Sequence, residues 1–202
     1  EFIEIATEEG FLLIFRPGPY ICAEIENGGI PYWLASKYPD IKLRTSDVNY
    51  QFEIERWYSK LLPQFEKHWY ENGGNIILVQ VENEYGAYKT CDKSYLEFLK
   101  NETFKYTKDR AVLFTSDWSQ DKTLSCTVEG LLQTINFGLS SLEEVEKSFS
   151  KLREYQPNAP LAVSEFWDGW FTLWQGSHAK TNVEGLAKTL DYALAMGANV
   201  NF

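Results

Sequence analysis

Three segments of this chain pair glutamate with aromatic residues just where a short apolar run ends. Arg16-Pro17-Gly18-Pro19-Tyr20-Ile21-Cys22-Ala23-Glu24 follows the run at 11–15. Glu82-Asn83-Glu84-Tyr85-Gly86 follows 75–81, and Ser164-Glu165-Phe166-Trp167-Asp168-Gly169-Trp170 closes 160–164. A carboxylate placed on an apolar element is costly unless it is paired or hydrogen-bonded. One of these glutamates could serve as the ionic partner of Arg16. Arg16 is the only obvious basic residue in the three segments, so ion pairing does not account for all of them. Carboxylates gathered in one place push their proton affinities apart, leaving one ionised and one able to hold a proton. Such a pair can cleave a glycosidic bond, with the acid protonating the leaving oxygen and the carboxylate meeting the oxocarbenium-like centre.

Other chemistries find less support. The chain has two histidines, His68 and His178, and no H-E-x-x-H pattern, so a transition-metal site is not expected, nor is an Asp-rich calcium loop present. Cys22 has no histidine near it in sequence and no G-x-S-x-G occurs, which disfavours thiol or serine nucleophiles. There is no G-x-G-x-x-G after the first apolar run and no P-loop, so no nucleotide cofactor is expected.

Those segments need elements to hold them. Continuous apolar runs at 11–15, 75–81, 111–115, 132–137 and 160–164, with a sixth opening at 197–200, suit strands buried on both faces of a parallel sheet. Helical spacing fills the intervals at 50–70, 95–106, 142–155 and 182–196. Pro63 should break the first of these, Ser140-Ser141 should cap the third and Gly197 should stop the fourth. Strand and helix alternating in this way predict an α/β fold, either an open doubly wound sheet or a (β/α)8 barrel, with functional side chains beyond the C-terminal ends of the strands.

Composition narrows the partners. A chain of 202 residues with 44% hydrophobic and 24% charged residues is globular, and large enough for one sizeable core. Its net charge of −10 argues against nucleic acid, which requires a basic face. No run reaches the roughly 18 apolar residues of a membrane span. Aromatics make up 16%, with seven Trp, enough to supply a core and still stack on sugar rings. Three cysteines leave at least one thiol unpaired, and Asn101-Glu102-Thr103 is a glycosylation sequon in a secreted protein. Glu1 stands where an initiator Met would be, residues 2–9 read as the end of a helix, and Asn199-Val200-Asn201-Phe202 stops inside a strand. The chain therefore reads as a single partial domain from a longer protein.

At the quoted segments the sequence resembles family 35 β-galactosidases over essentially its whole length. Residues 16–24 with Asn27-Gly28-Gly29-Ile30-Pro31-Tyr32-Trp33-Leu34 look like that family's sugar-binding loop. Gln80-Val81-Glu82-Asn83-Glu84-Tyr85-Gly86 is similar to its acid/base motif. Ser164-Glu165-Phe166 with Gly169-Trp170 and Trp174 is similar to its nucleophile motif. The resemblance implies an incomplete (β/α)8 TIM barrel covering about strands 3 to 7 and the start of strand 8. The remaining barrel strands and C-terminal β domains would belong to the full-length protein, since such a barrel needs roughly 250 residues.

By the same resemblance, Glu84 is the acid/base and Glu165 the nucleophile of a retaining enzyme, whose carboxyls should lie about 5–5.5 Å apart. Asn83 would bond the sugar 2-hydroxyl. Ala23, through its backbone, and Glu24 would hold galactose hydroxyls, with Cys22 lining the pocket and Glu82 structural. Cys91 would pair with Cys126, which needs an oxidising compartment. That placement, lysosomal or secreted, would give weight to the Asn101 sequon. The substrate would be a terminal β-D-galactoside, with no cofactor and no metal. A galactoside-binding pseudoenzyme and another retaining β-glycosidase of the same clan are the alternatives. Ile25 replaces the family's usual Trp, Trp167 its common Tyr and Gln175 its usual Gly; these positions bear on linkage and aglycone.

Overall fold

The computed structural model describes residues 1–201; Phe202, part of the strand read as cut short, lies outside the described residues. In chain order the elements are α1 (Phe2–Glu8), β1 (Leu13–Phe15), α2 (Trp33–Lys37), α3 (Val48–Leu61), β2 (Ile76–Gln80), α4 (Lys93–Thr107) and β3 (Val112–Trp118). Then follow α5 (Asp121–Leu124), β4 (Leu132–Phe137), α6 (Leu142–Tyr155), β5 (Leu161–Phe166), α7 (Val183–Ala195) and β6 (Ala198–Asn201). The residues fall into two compact units, Glu1–Thr115 with Cys126–Leu132, and Ser116–Ser125 with the chain from Gln133 onward. Among the described residues no helix is long and apolar enough to cross a membrane.

In the first unit β2 pairs in parallel with β1 and with β3, and Val79 stands opposite both Phe15 and Leu113. The helices that connect these strands start and stop for local reasons. Asp47 caps α3 by accepting from the amides of Asn49 and Tyr50. As expected, Pro63 ends it: α3 stops at Leu61 and the chain continues as a 3-10 stretch, Leu62–His68, with proline in its first turn. Tyr58, Leu62, Trp69, Ile76, Val79, Leu96 and Leu99 are buried together between strands and helices. Cys91 and Cys126 form the disulfide that the family resemblance implied, and it lies wholly in this unit.

In the second unit β5 pairs in parallel with β4 and β6. Ser141 caps α6 with a full capping box, its hydroxyl accepting from Glu144 N–H while Glu144 reaches back to the Ser141 amide. Asn182 caps α7, and the left-handed Gly197 follows its end. Leu124, Ile135, Val145, Phe149, Leu152, Val163 and Ala193 make the core.

Two bounds differ from the sequence reading in a way that bears on function. β3 runs past its apolar stretch through Ser116 and Asp117, and β5 runs past Ser164 through Glu165 and Phe166. The two serines are tolerated there because they bond to each other and to polar side chains of β4. Ser164 Oγ contacts Ser116 Oγ at 2.8 Å and Asn136 Oδ1 at 2.9 Å, and the Thr134 hydroxyl donates to Ser164 Oγ. Glu165 is therefore part of β5 itself, in register with Asn136 of β4, rather than on a loop after the strand. At the other end of the chain β1 is shorter than its apolar run. Phe11 N–H completes the end of α1 by donating to Ala6 O, so the strand begins only at Leu13.

Candidate active site

In the first unit the site is built around a cation that sequence reading missed. Arg44 is 7% exposed and Glu82 is 3% exposed. The Arg44 guanidinium donates to Glu82 through Nε at 3.1 Å and Nη2 at 2.7 Å, and Nη2 also donates to the Asn83 carbonyl at 2.7 Å. Glu82 further accepts from the Tyr95 hydroxyl at 2.9 Å and the Asn83 amide at 2.7 Å. Burial works against the charge of Arg44, but the Glu82 carboxylate beside it more than compensates and raises its pKa. Burial, then the same carboxylate, push the Tyr95 phenol well above its usual range, which keeps it a donor. Glu82 is thus held by the fold, as the structural role expected for it requires.

The same cation is sandwiched by aromatic faces. Its centre lies 3.7 Å from the Tyr20 ring and 4.5 Å from Tyr88. Tyr20 in turn rests on Gly28, whose φ is +59° and where an added Cβ would lie 2.0 Å from the ring. The Asn27-Gly28-Gly29 turn therefore provides the space that lets Tyr20 lie on Arg44. In this way the segment after β1 and the segment after β2 share one buried support.

That support holds unusual backbone. Glu82 and Glu84 have φ of +65° and +48°, left-handed conformations that cost a residue with a side chain about 1–2 kcal/mol. β2 has ended at Gln80, so the regular alternation that would put Glu82 and Glu84 on one side does not apply. Glu84 is half-buried and opens the 3-10 turn Tyr85–Ala87. Asn83 is buried, and its side-chain oxygen accepts from Arg16 Nη2 and from Gln80 Nε2. Two donors on that oxygen assign the amide NH2 as the group Asn83 can offer outward. Cys22, Ala23 and Glu24 are also left-handed, with φ of 57°, 54° and 49°. Ala23 and Glu24 are exposed, and Cys22 is a half-buried free thiol.

Glu165 belongs to the second unit and is half-buried. The Trp167 indole N–H donates to its Oε2 at 3.2 Å. That indole is clamped on both sides, edge-on to Trp118 at 6.1 Å and to Trp170 at 6.3 Å between centroids. Its backbone amide donates to Phe137 O, and Gly138 packs against it. Sequence reading singled out Glu165 and Trp167 but not Trp118, Ser116 or Asn136. Trp118 closes a run of polar residues and carried no motif. Asn101, the sequon residue, is exposed on α4.

A family model described as glycosyl hydrolases family 35 matches residues 1–202. The chain belongs to glycosyl hydrolase family 35. Among its curated relatives, the beta-galactosidases of Mus musculus and Homo sapiens are each 43% identical over 201 residues, as is the beta-galactosidase-1-like protein of Mus musculus. Each match takes in 99% of this chain but only 31%, 29% and 30% of the respective relative, so the chain spans about 30% of their length. Among solved structures, Bacteroides uniformis beta-glucuronidase 2 covalently bound to cyclophellitol-6-carboxylate aziridine matches with a TM-score of 0.51 and 16% identity. That match covers 76% of this chain and 21% of the other. At such identity the likeness is one of fold. With the family assignment, it identifies the parallel strand–helix repeat as an incomplete (β/α)8 barrel.

Proposed function

We propose that this chain carries both catalytic carboxylates of a retaining β-galactosidase, whose full-length form removes terminal β-D-galactose. The observation that carries the reading is the 43% identity to beta-galactosidases across 99% of the chain. In the first step a Glu165 carboxylate oxygen attacks the anomeric carbon and the glycosidic C–O bond breaks. Glu84 gives its proton to the departing oxygen. In the second step Glu84 takes a proton from water, the water oxygen attacks the same carbon, and the bond to Glu165 breaks. Anomeric configuration is retained because it is inverted twice.

The surroundings suit these roles. Trp167 can donate to an ionised Glu165 but cannot accept from it, which fits a nucleophile that enters the reaction as carboxylate. Asn83, with its oxygen occupied, offers its NH2 to the sugar 2-hydroxyl. The left-handed Cys22-Ala23-Glu24 turn presents backbone groups and a carboxylate to other galactose hydroxyls, with Cys22 on the pocket wall. The Cys91–Cys126 disulfide fits an oxidising compartment, lysosomal or extracellular, and exposed Asn101 would carry a glycan there. The test is hydrolysis of an aryl β-D-galactoside by the full-length protein beside Glu165→Gln. The expected result is turnover that collapses in the variant. Sugar binding without turnover in the unaltered protein would instead make it a lectin-like pseudoenzyme.

A further inference from the structure

The strand that carries Glu165 is not regular where Glu165 leaves it. Ile135 of β4 stands opposite Val163 of β5, and the next residue, Asn136, stands opposite Glu165. Ser164 is therefore an extra residue on β5, a bulge immediately before the proposed nucleophile. Side chains alternate between the faces of a regular strand, and an inserted residue re-aims those that follow it. The insertion is what puts Glu165, and not Ser164, beside Asn136.

A bulge interrupts the ladder that would fix its residues, so something else must hold them. Here the Ser164 hydroxyl does so. It accepts from the Thr134 hydroxyl, and it lies 2.8 Å from Ser116 Oγ and 2.9 Å from Asn136 Oδ1. Ser116 donates to the same Asn136 oxygen at 2.8 Å. Each hydroxyl has one hydrogen to give. Thr134 gives its hydrogen to Ser164 and Ser116 gives its hydrogen to Asn136, so the hydrogen of Ser164 closes a set that spans β3, β4 and β5. Hydrogen bonds linked in this way polarise one another and hold one arrangement. Ser116, Thr134 and Asn136 are all buried, which keeps competing water away. Beyond Glu165 the chain is pinned again, where the Trp167 amide donates to Phe137 O at 3.1 Å.

We infer that Ser164 is a positioning residue for Glu165. Its anchored hydroxyl on one side and the Trp167 amide on the other fix the short span that bears the carboxylate. Ser164 touches no reacting atom; it sets the point from which Glu165 attacks. A misplacement of about 1 Å at such a step can cost about 100-fold in rate. This rests on the β-galactosidase reading.

The test is the rate at which 2-deoxy-2-fluoro-β-D-galactosyl fluoride, a reagent that traps the covalent intermediate, labels Glu165 of the full-length protein. It is to be measured by mass spectrometry in the unaltered protein, Ser164→Ala, Ser164→Thr and Ser116→Ala. In Ser164→Ala the maximal labelling rate is expected to fall about 10- to 100-fold, while the reagent concentration giving half that rate stays nearly unchanged. Ser164→Thr, which keeps the hydroxyl, should restore most of the rate, and Ser116→Ala should show a smaller fall of the same kind. An unchanged maximal rate in Ser164→Ala would overturn the inference. So would a loss confined to reagent binding, or equal loss in the alanine and threonine variants, which would make position 164 a matter of packing. If Ser164→Ala does not fold, as read by circular dichroism, Ser116→Ala decides by the same split. No label on Glu165 in the unaltered protein would instead remove the β-galactosidase reading itself.

Discussion

At the residue scale the buried Glu82 and the half-buried Glu165 are held by different kinds of neighbour. Glu82 accepts from Arg44, Tyr95 and the Asn83 amide, and Glu165 accepts from the indole N–H of Trp167. Removing one member of a buried ion pair strands the other. Arg44→Met should therefore lower stability by about 3–5 kcal/mol in urea unfolding of the full-length protein. It should also lower kcat, because the same guanidinium holds the Asn83 carbonyl beside Glu84. Trp167→Phe keeps the packing and loses the donor. A hydrogen bond to a charged group contributes about 1.5–3 kcal/mol, so kcat on an aryl galactoside should fall roughly 10- to 100-fold, with Trp167→Tyr restoring much of it. Equal damage by Phe and Tyr would mean that the indole acts by packing. The glutamates were legible in the sequence because strand-end motifs are local. Arg44 was not, because its pairing with Glu82 spans 38 positions and no local pattern encodes it.

At the element scale α6 and β4 begin and end where periodicity placed them, and the cap at Ser141 was readable from residue type. The ends of β3 and β5 were not, because Ser116 looks like a loop residue until its hydrogen bond with Ser164 is seen, and Glu165 until its register with Asn136 is seen. Ser141→Ala should lower stability by about 1 kcal/mol, measured by thermal or urea unfolding. Removing the Cys91–Cys126 link, which closes a 35-residue separation, should cost about 2–4 kcal/mol in the double alanine variant.

A pH dependence follows from α4. Its cap, Asp92, accepts from the Ser46 amide and hydroxyl and from the Tyr95 amide. Partial burial alone would raise the Asp92 pKa, but these donors outweigh it, and the carboxyl is held below its ordinary 3.8. The folded value being the lower one, the stabilisation is complete above about pH 4 and is lost as pH falls through the folded pKa. The helix start thus keeps its cap in mildly acidic surroundings. Comparison with Asp92→Asn should show a stability gap at pH 5 that narrows toward pH 2; a gap constant over that range would refute the assignment.

At the scale of the whole molecule, the chain corresponds to about 30% of its relatives' length, and a (β/α)8 barrel closes only with all its strands. The alternation of strand and helix made the α/β class legible. Choosing a barrel over an open sheet required the family, because periodicity is the same in both. The isolated 202 residues should melt broadly in calorimetry, and a single cooperative transition would contradict that expectation. The central claim is that Glu165 forms a bond to galactose. The most direct measurement is mass spectrometry of peptides from the full-length protein after incubation with 2-deoxy-2-fluoro-β-D-galactosyl fluoride, which slows release of the covalent intermediate. The expected result is one fluorogalactosyl adduct, on Glu165. An adduct on another carboxylate, or brisk galactoside hydrolysis with no adduct at all, would contradict the account.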